Sequence, residues 1–268
     1  MGNHLMRGLR RMLALTLCAG LSISLAACGE AKDEGPDYAD DEAMSIIAKG
    51  FEKRSDKIDS LTAQGEDTSS GKVLQEVIQT EIDNDSSLKD RQFENSKMQE
   101  DVVSYINLLN DQKEAAMTRF SENGSEKWQK AYDERSSILK KFVEEYGLKV
   151  GDSYKGSLEE IVANGNEVTE KNDQDKAING LISAATFEKV PDGYGSFTYT
   201  ATIQNTTNYN FTDVSLILAL YDANNVKAEE TYASTNSWNK GETVKFKAYS
   251  NTDAATVKAS VDHYDVAN

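Results

Sequence analysis

Apolar residues recur along this chain with two different periods. From Glu42 to about Gly165 the spacing is helical and no proline interrupts it. Met44, Ile47, Phe51, Ile58 and Leu61 fall on one stripe and predict a first helix, with Asp40 or Asp41 available to cap it. Val73, Leu74, Val77, Ile78 and Ile82 predict a second, after Ser69-Ser70-Gly71. A third is predicted from about Ser87 to Ser121, carried by Phe93, Met98, Val102, Tyr105, Ile106, Leu109, Met117 and Phe120. Past the Asn123-Gly124-Ser125 break, Trp128, Tyr132, Leu139, Phe142 and Tyr146 predict a fourth helix. It should stop at Gly147 in the left-handed conformation, with Leu148 packing back. Ser157-Leu158-Glu159-Glu160 reads as a capping box before a short last helix ending at Gly165.

Residues 166–180 are polar and lack aromatics, which predicts a linker. Beyond them the period drops to two. Phe197, Tyr199, Ala201 and Ile203 alternate with polar neighbours, as do Val214 to Leu220, Val244 to Ala248, and Val257 to Val261. Turn clusters separate these runs: Pro191-Asp192-Gly193, Asn205 to Asn210, Asp222 to Asn225, and Asn239-Lys240-Gly241. The expected fold class is therefore α+β and multidomain. A helical bundle over 42–165 leads through the linker into an antiparallel β-sandwich of six or seven strands over 181–268.

The first 27 residues read as an address. Arg7, Arg10 and Arg11 precede an uncharged stretch, Met12 to Ala27, which is the layout of an export signal. That stretch is shorter than the roughly 20 apolar residues a spanning helix needs. Leu25-Ala26-Ala27-Cys28-Gly29 follows and resembles the lipobox of bacterial lipoprotein precursors. The resemblance implies a diacylglycerol thioether on Cys28, cleavage before it, and attachment to the outer face of the plasma membrane, in the manner of Gram-positive cells. Two acyl chains hold a protein on a bilayer where one gives only marginal binding. The alternative is an ordinary secretory signal with an incidental cysteine; Cys18, inside the apolar stretch, reads as a small apolar residue. Residues 28–41 contain six acids, one lysine and Pro36, and read as an extended acidic tether.

Asp213-Val-Ser-Leu-Ile-Leu-Ala-Leu-Tyr221-Asp222, with Asn205-Thr-Thr-Asn before it and Lys240-Gly241-Glu242 after, resembles the FxLYD domain, an immunoglobulin-like module of bacterial envelope lipoproteins. Leu218 stands where that motif has Phe. Tyr132-Asp-Glu-Arg135 and Phe142-Val-Glu-Glu-Tyr146-Gly147-Leu148 are similar to helical segments of uncharacterised Gram-positive lipoproteins. Neither resemblance brings catalytic residues with it.

Composition narrows the chemistry further. The 268 residues are 38 % apolar and 28 % charged, which suits a globular chain. Acids outnumber Lys and Arg 45 to 29, so a nucleic-acid partner is not expected, because phosphate recognition needs a basic face. Removal of residues 1–27 would take three arginines and no acid, moving the net charge from −16 to −19. It would also leave His263 as the one histidine and Cys28, acylated, as the one cysteine. Thiol catalysis, a Cys/His zinc site and a paired-histidine metal site are then excluded by inventory, and no cofactor is expected. Glu144, Glu145, Glu159 and Glu160 could be imagined as a glycosidase acid pair, though helix faces and a cap account for them. Asp83-Asn84-Asp85-Ser86-Ser87 begins like a calcium loop, but Leu88 stands where glycine is needed, so a polar turn is expected. Trp238, in a polar run, is either a partner or glycan contact or a lid folded over the sandwich end. The functional expectation is a noncatalytic binding or structural role at the cell envelope, with an envelope protein or glycan as partner. The alternatives are a sensory or accessory subunit of a membrane system, and a wall glycan hydrolase.

Overall fold

A computed structural model describes residues 37–267; the predicted export signal, Leu25, Ala26, Ala27, Cys28, Gly29 and most of the tether lie outside the described residues. From Tyr38 onward the chain forms one compact unit. Five α-helices come first: α1 Asp40–Ala63, α2 Gly71–Asp85, α3 Ser96–Ala115, α4 Glu122–Glu145 and α5 Lys155–Ser183. Six strands follow: β1 Glu188–Pro191, β2 Phe197–Gln204, β3 Phe211–Tyr221, β4 Lys227–Trp238, β5 Thr243–Ser250 and β6 Thr256–Val266.

The folded body starts before the predicted tether ends. Tyr38 bridges to Gln92, the Ala39 N–H donates to the Gln92 carbonyl at 2.8 Å, and Ala39 is fully buried. Neither Asp40 nor Asp41 caps α1, whose N-cap is Ala39. The Asp40 carboxylate instead accepts from the backbone N–H groups of Glu94 and Asn95, each at 2.8 Å, and so ties the start of α1 to the approach to α3. α3 is shorter than its apolar pattern suggests. Ser86–Asp90 turn as a 3₁₀ segment that buries Leu88, and Asn95 caps α3 by accepting from the N–H groups of Lys97 and Met98. Ser121 caps α4, so Asn123 and Gly124 lie in its first turn and the break falls just before them. At the other end of α4 the expected glycine stop is present. Gly147 has φ +71°, and the Leu148 N–H reaches back to the Phe142 carbonyl at 2.9 Å while its side chain is buried.

The last helix departs most from expectation. Residues 166–180 are helical rather than an extended linker, Ser157 lies inside α5 rather than at its cap, and Gly165 is no terminus. Gly165 is the crossing point of α4 and α5: a Cβ there would stand 2.5 Å from the Ser136 carbonyl oxygen. Glycine lets the two backbones approach, at a cost in helix propensity that the packing offsets. α5 touches two separate apolar clusters. Leu158, Ile161 and Val162 belong with the cluster built from α1 to α4, while Ile178 and Ile182 belong with the β-sheet cluster. The helix therefore continues through its polar middle because both of its ends are anchored.

The strands form two antiparallel three-stranded sheets, ordered β1-β2-β5 and β4-β3-β6. Tyr199, Ala201, Phe246 and Ala248 of the first sheet share a core with Phe211, Val214, Leu216, Leu218 and Leu220 of the second. β3 alternates buried and half-buried positions along nearly its whole length, as expected of a central strand. Asn205 fixes the turn before β3: its amide donates to the Tyr209 and Trp238 carbonyls, both at 2.8 Å.

Candidate functional site

Two places concentrate ionisable groups. The first lies inside the helical part. Glu81 of α2, fully buried, accepts from Arg54 of α1 at 2.9 Å and from Arg135 of α4 at 2.9 and 3.1 Å. It also accepts from the Tyr105 hydroxyl of α3. Gln112 of α3 accepts from Arg54 at 3.3 Å. Four helices thus converge on one carboxylate. Burial alone would push Glu81 up, but Arg135 and Arg54 outweigh it and hold the group down at about 2. Burial pushes the Tyr105 hydroxyl well up, and its neighbour Glu81 adds to that.

Asp85, one turn further along α2, completes the cluster. It is fully buried, its Oδ1 accepts from the Asn84 amide at 3.0 Å, and Oδ2 finds no partner within the described chain. Burial, reinforced by the negative Glu81, pushes its carboxyl up to about 8. Asp85 therefore carries its proton at neutral pH while Glu81 does not, a separation set by which of the two holds the guanidinium groups. A groove of about 430 Å³ between α1, α4 and α5 reaches Arg54 and Arg135 beside Phe51, Tyr132 and Tyr154. Neither Glu81 nor Asp85 lines it; Arg54 and Arg135 share its wall with Asp56 and Asp59. The pair is placed to join helices.

The sequence placed Asp85 in a polar turn; it closes α2 in the interior instead, while Asp83 is exposed. Glu81, Arg54 and Gln112 belong to no motif in the sequence, and Arg135 enters there only as the end of the segment Tyr132–Arg135. A signal existed, because each sits in helical register with the apolar stripe of its own helix, Glu81 and Asp85 continuing the run Val77, Ile78, Ile82.

The second place is a groove of about 690 Å³ between α5 and β6. Six consecutive residues of β6, Val261 to Val266, line it, facing the 167, 170, 171, 174, 175 and 179 stripe of α5. Consecutive lining means that the groove runs along the strand's backbone edge, since side chains alternate between faces. Tyr264 donates to Asp175 at 2.6 Å and ties the helix to the strand. That hydrogen bond and burial raise the Tyr264 hydroxyl above its ordinary value, burial contributing most. His263 is exposed, with Asp265 at 3.6 Å.

The remaining sequence candidates are separated from these places. Trp238 is not an exposed contact for a partner or glycan: it is fully buried at the end of β4, with Phe246 at 5.2 Å and Phe211 at 6.1 Å between ring centroids. Its place opposite Phe211 in the strand ladder draws it into the core. Glu144 and Glu145 are exposed beside Lys140 at 3.5 Å and Lys97 at 3.7 Å, and Glu159 and Glu160 are exposed on α5. Asp222 closes the β3–β4 turn, accepting from the Asn224 and Val226 N–H groups at 2.8 and 2.9 Å, with Asn225 at φ +60°. Among the described residues no cluster of three or more His, Cys, Asp or Glu side chains could hold a metal ion, and no helix is long and apolar enough to cross a membrane. No protein-family model, curated protein or solved structure matches the chain.

Proposed function

We propose that this chain is a lipid-anchored extracytoplasmic protein with a noncatalytic binding or structural role at the cell envelope, held on the outer face of a Gram-positive plasma membrane through acylated Cys28. The observation that carries this reading is Leu25-Ala26-Ala27-Cys28-Gly29 at the end of a basic, then uncharged, segment. The ionisable groups inside the helical part support a noncatalytic role, because they bind one another across four helices and the two carboxyl groups, Glu81 and Asp85, do not line the adjoining groove. The β part supports the resemblance to an immunoglobulin-like module. Its sheet orders β1-β2-β5 and β4-β3-β6 follow the A-B-E and C′-C-F strand positions of that architecture.

The test is mass spectrometry of the protein extracted from expressing Gram-positive cells, with fractionation of a Cys28→Ala variant. A mature chain beginning at diacylated Cys28, and release of the variant from the membrane fraction as uncleaved or soluble protein, are the expected results. An unmodified Cys28 on membrane-bound protein would overturn the proposal.

A further inference from the structure

We infer that the outer edge of β6, with the acidic face of α5 opposite, takes up an extended basic segment of a partner protein as an added antiparallel strand. The inference rests on the binding role proposed above and names the chemistry of the partner. Among the described residues β6 has β3 as its one strand neighbour, so every second N–H and C=O along its other side points away from the sheet. α5 runs alongside this edge and forms the other wall of the groove.

The other edges differ. β1 has four residues and ends in Pro191. The edges of β4 and β5 close on each other, Thr231 donating to the Tyr249 carbonyl at 2.8 Å and Ser250 to the Glu229 carboxylate at 2.6 Å. Among the described residues β6 is the strand that pairs an unpaired edge with a groove, and the six residues lining it span about 20 Å, room for an extended segment of similar length.

Charge selects the occupant. Glu167, Glu170, Asp175, Asp262 and Asp265 line the groove against Lys171. A second copy of this chain, with net charge −16, would bring more negative charge to that surface; a lysine- or arginine-bearing strand would neutralise it. Backbone pairing supplies the affinity in such strand addition, and side chains of alternate residues supply the selection. The ladder shifts register where Ser215 faces His263, so the added strand would follow a locally steeper twist.

The experiment is hydrogen-exchange mass spectrometry on the full acylated chain in neutral detergent, with a capped heptapeptide of alternating lysine and valine as probe. Amides of 256–266 are expected to exchange at least about fivefold more slowly with the peptide bound, since paired edge amides exchange only on opening. Charge reversal by Glu167→Lys with Asp262→Lys, both exposed, should weaken the peptide at least about tenfold, and salt should weaken it as well. Unchanged exchange in β6 at millimolar peptide overturns the inference. So does equal protection by a glutamate-valine peptide, or by one N-methylated at alternate residues, which cannot complete the ladder. Protection that grows with protein concentration alone would name a second copy as the occupant and overturn it too. None of these results touches the attachment of Cys28, and loss of acylation in cells would leave the peptide result intact.

Discussion

Asp85 gives the sharpest handle on how the helical part is held together. The carboxyl ionises near 3.8 in an unfolded chain and at about 8 in the fold. A raised value means that folding favours the protonated form, so its contribution is complete below pH 3.8 and is lost as pH rises through about 8. Over that interval stability should fall by about 1.4 kcal/mol per pH unit, or about 4 kcal/mol between pH 5 and 8. Glu81 acts with the opposite sign: held at about 2 against 4.5, it contributes above pH 4.5 and loses that contribution as pH falls through 2. Together they place the stability maximum of the helices near pH 4 to 5, below the range where most domains are most stable. Urea unfolding followed by helical circular dichroism at pH 5, 6, 7 and 8 measures the slope. Asp85→Asn keeps the shape and removes the titration, so its profile across this range should be nearly flat and its stability at pH 8 should exceed that of the parent. A variant slope equal to the parent's, or a parent that gains stability from pH 5 to 8, would refute the reasoning.

Three further outcomes test other joints of the structure. Glu81→Gln leaves Arg54 and Arg135 without their shared counter-charge and should cost about 3 to 5 kcal/mol in the same urea assay; a loss below about 1 kcal/mol would mean the cluster is wetter than its burial indicates. Along α5, Gly165→Ala should lower the thermal midpoint because its Cβ meets the Ser136 carbonyl. Gly180→Ala, with nothing within 4 Å of the added Cβ, should gain up to about 1 kcal/mol; the same sign for both would contradict the crossing geometry. Trp238→Ala should destabilise the β part by about 3 to 5 kcal/mol, read by exchange of β3 and β5 amides. Trp238→Phe should cost less than Trp238→Ala, because the remaining ring still packs on Phe211 and Phe246 and the indole N–H has no partner to lose.

The apolar stripes made the existence and order of the elements legible, since burial imposes period 3.6 on a helix and period 2 on a strand with one buried face. They misled where a polar residue occupied a stripe position. Trp238 looked exposed because its sequence neighbours are polar and because strict alternation from Ala233 and Thr235 would turn it outward. The phase slips at Asn236 and Ser237, both exposed, opposite the part of β3 where Asp213 takes φ +49°, and Trp238 turns inward. Glu81 and Asp85 were hidden for the converse reason. A carboxylate is stripe-competent only when cations reach it, and Arg54 and Arg135 arrive from 27 and 54 residues away. No local window contains that pairing.

The polar stretch 166–180 shows why composition alone could not separate linker from helix. It holds no proline, its glutamate, lysine and glutamine residues have good helix propensity, and Thr169 satisfies itself by donating to the Gly165 carbonyl at 2.6 Å. An isolated helix of this length would be marginal in water. Here Leu158 is fixed in one core and Ile178 and Ile182 in another, so the intervening turns are already nucleated from both sides. That arrangement makes α5 a strut, and it predicts cooperativity across the polar turns. Replacing Gln174 with proline would remove a helix hydrogen bond and clash with the preceding turn, at about 3 kcal/mol, within the stretch that faces β6. If α5 couples the two cores, amides in both halves of the helix should lose protection together in exchange experiments. Loss confined to residues 170–174 would mean that each core holds its own end of the helix independently.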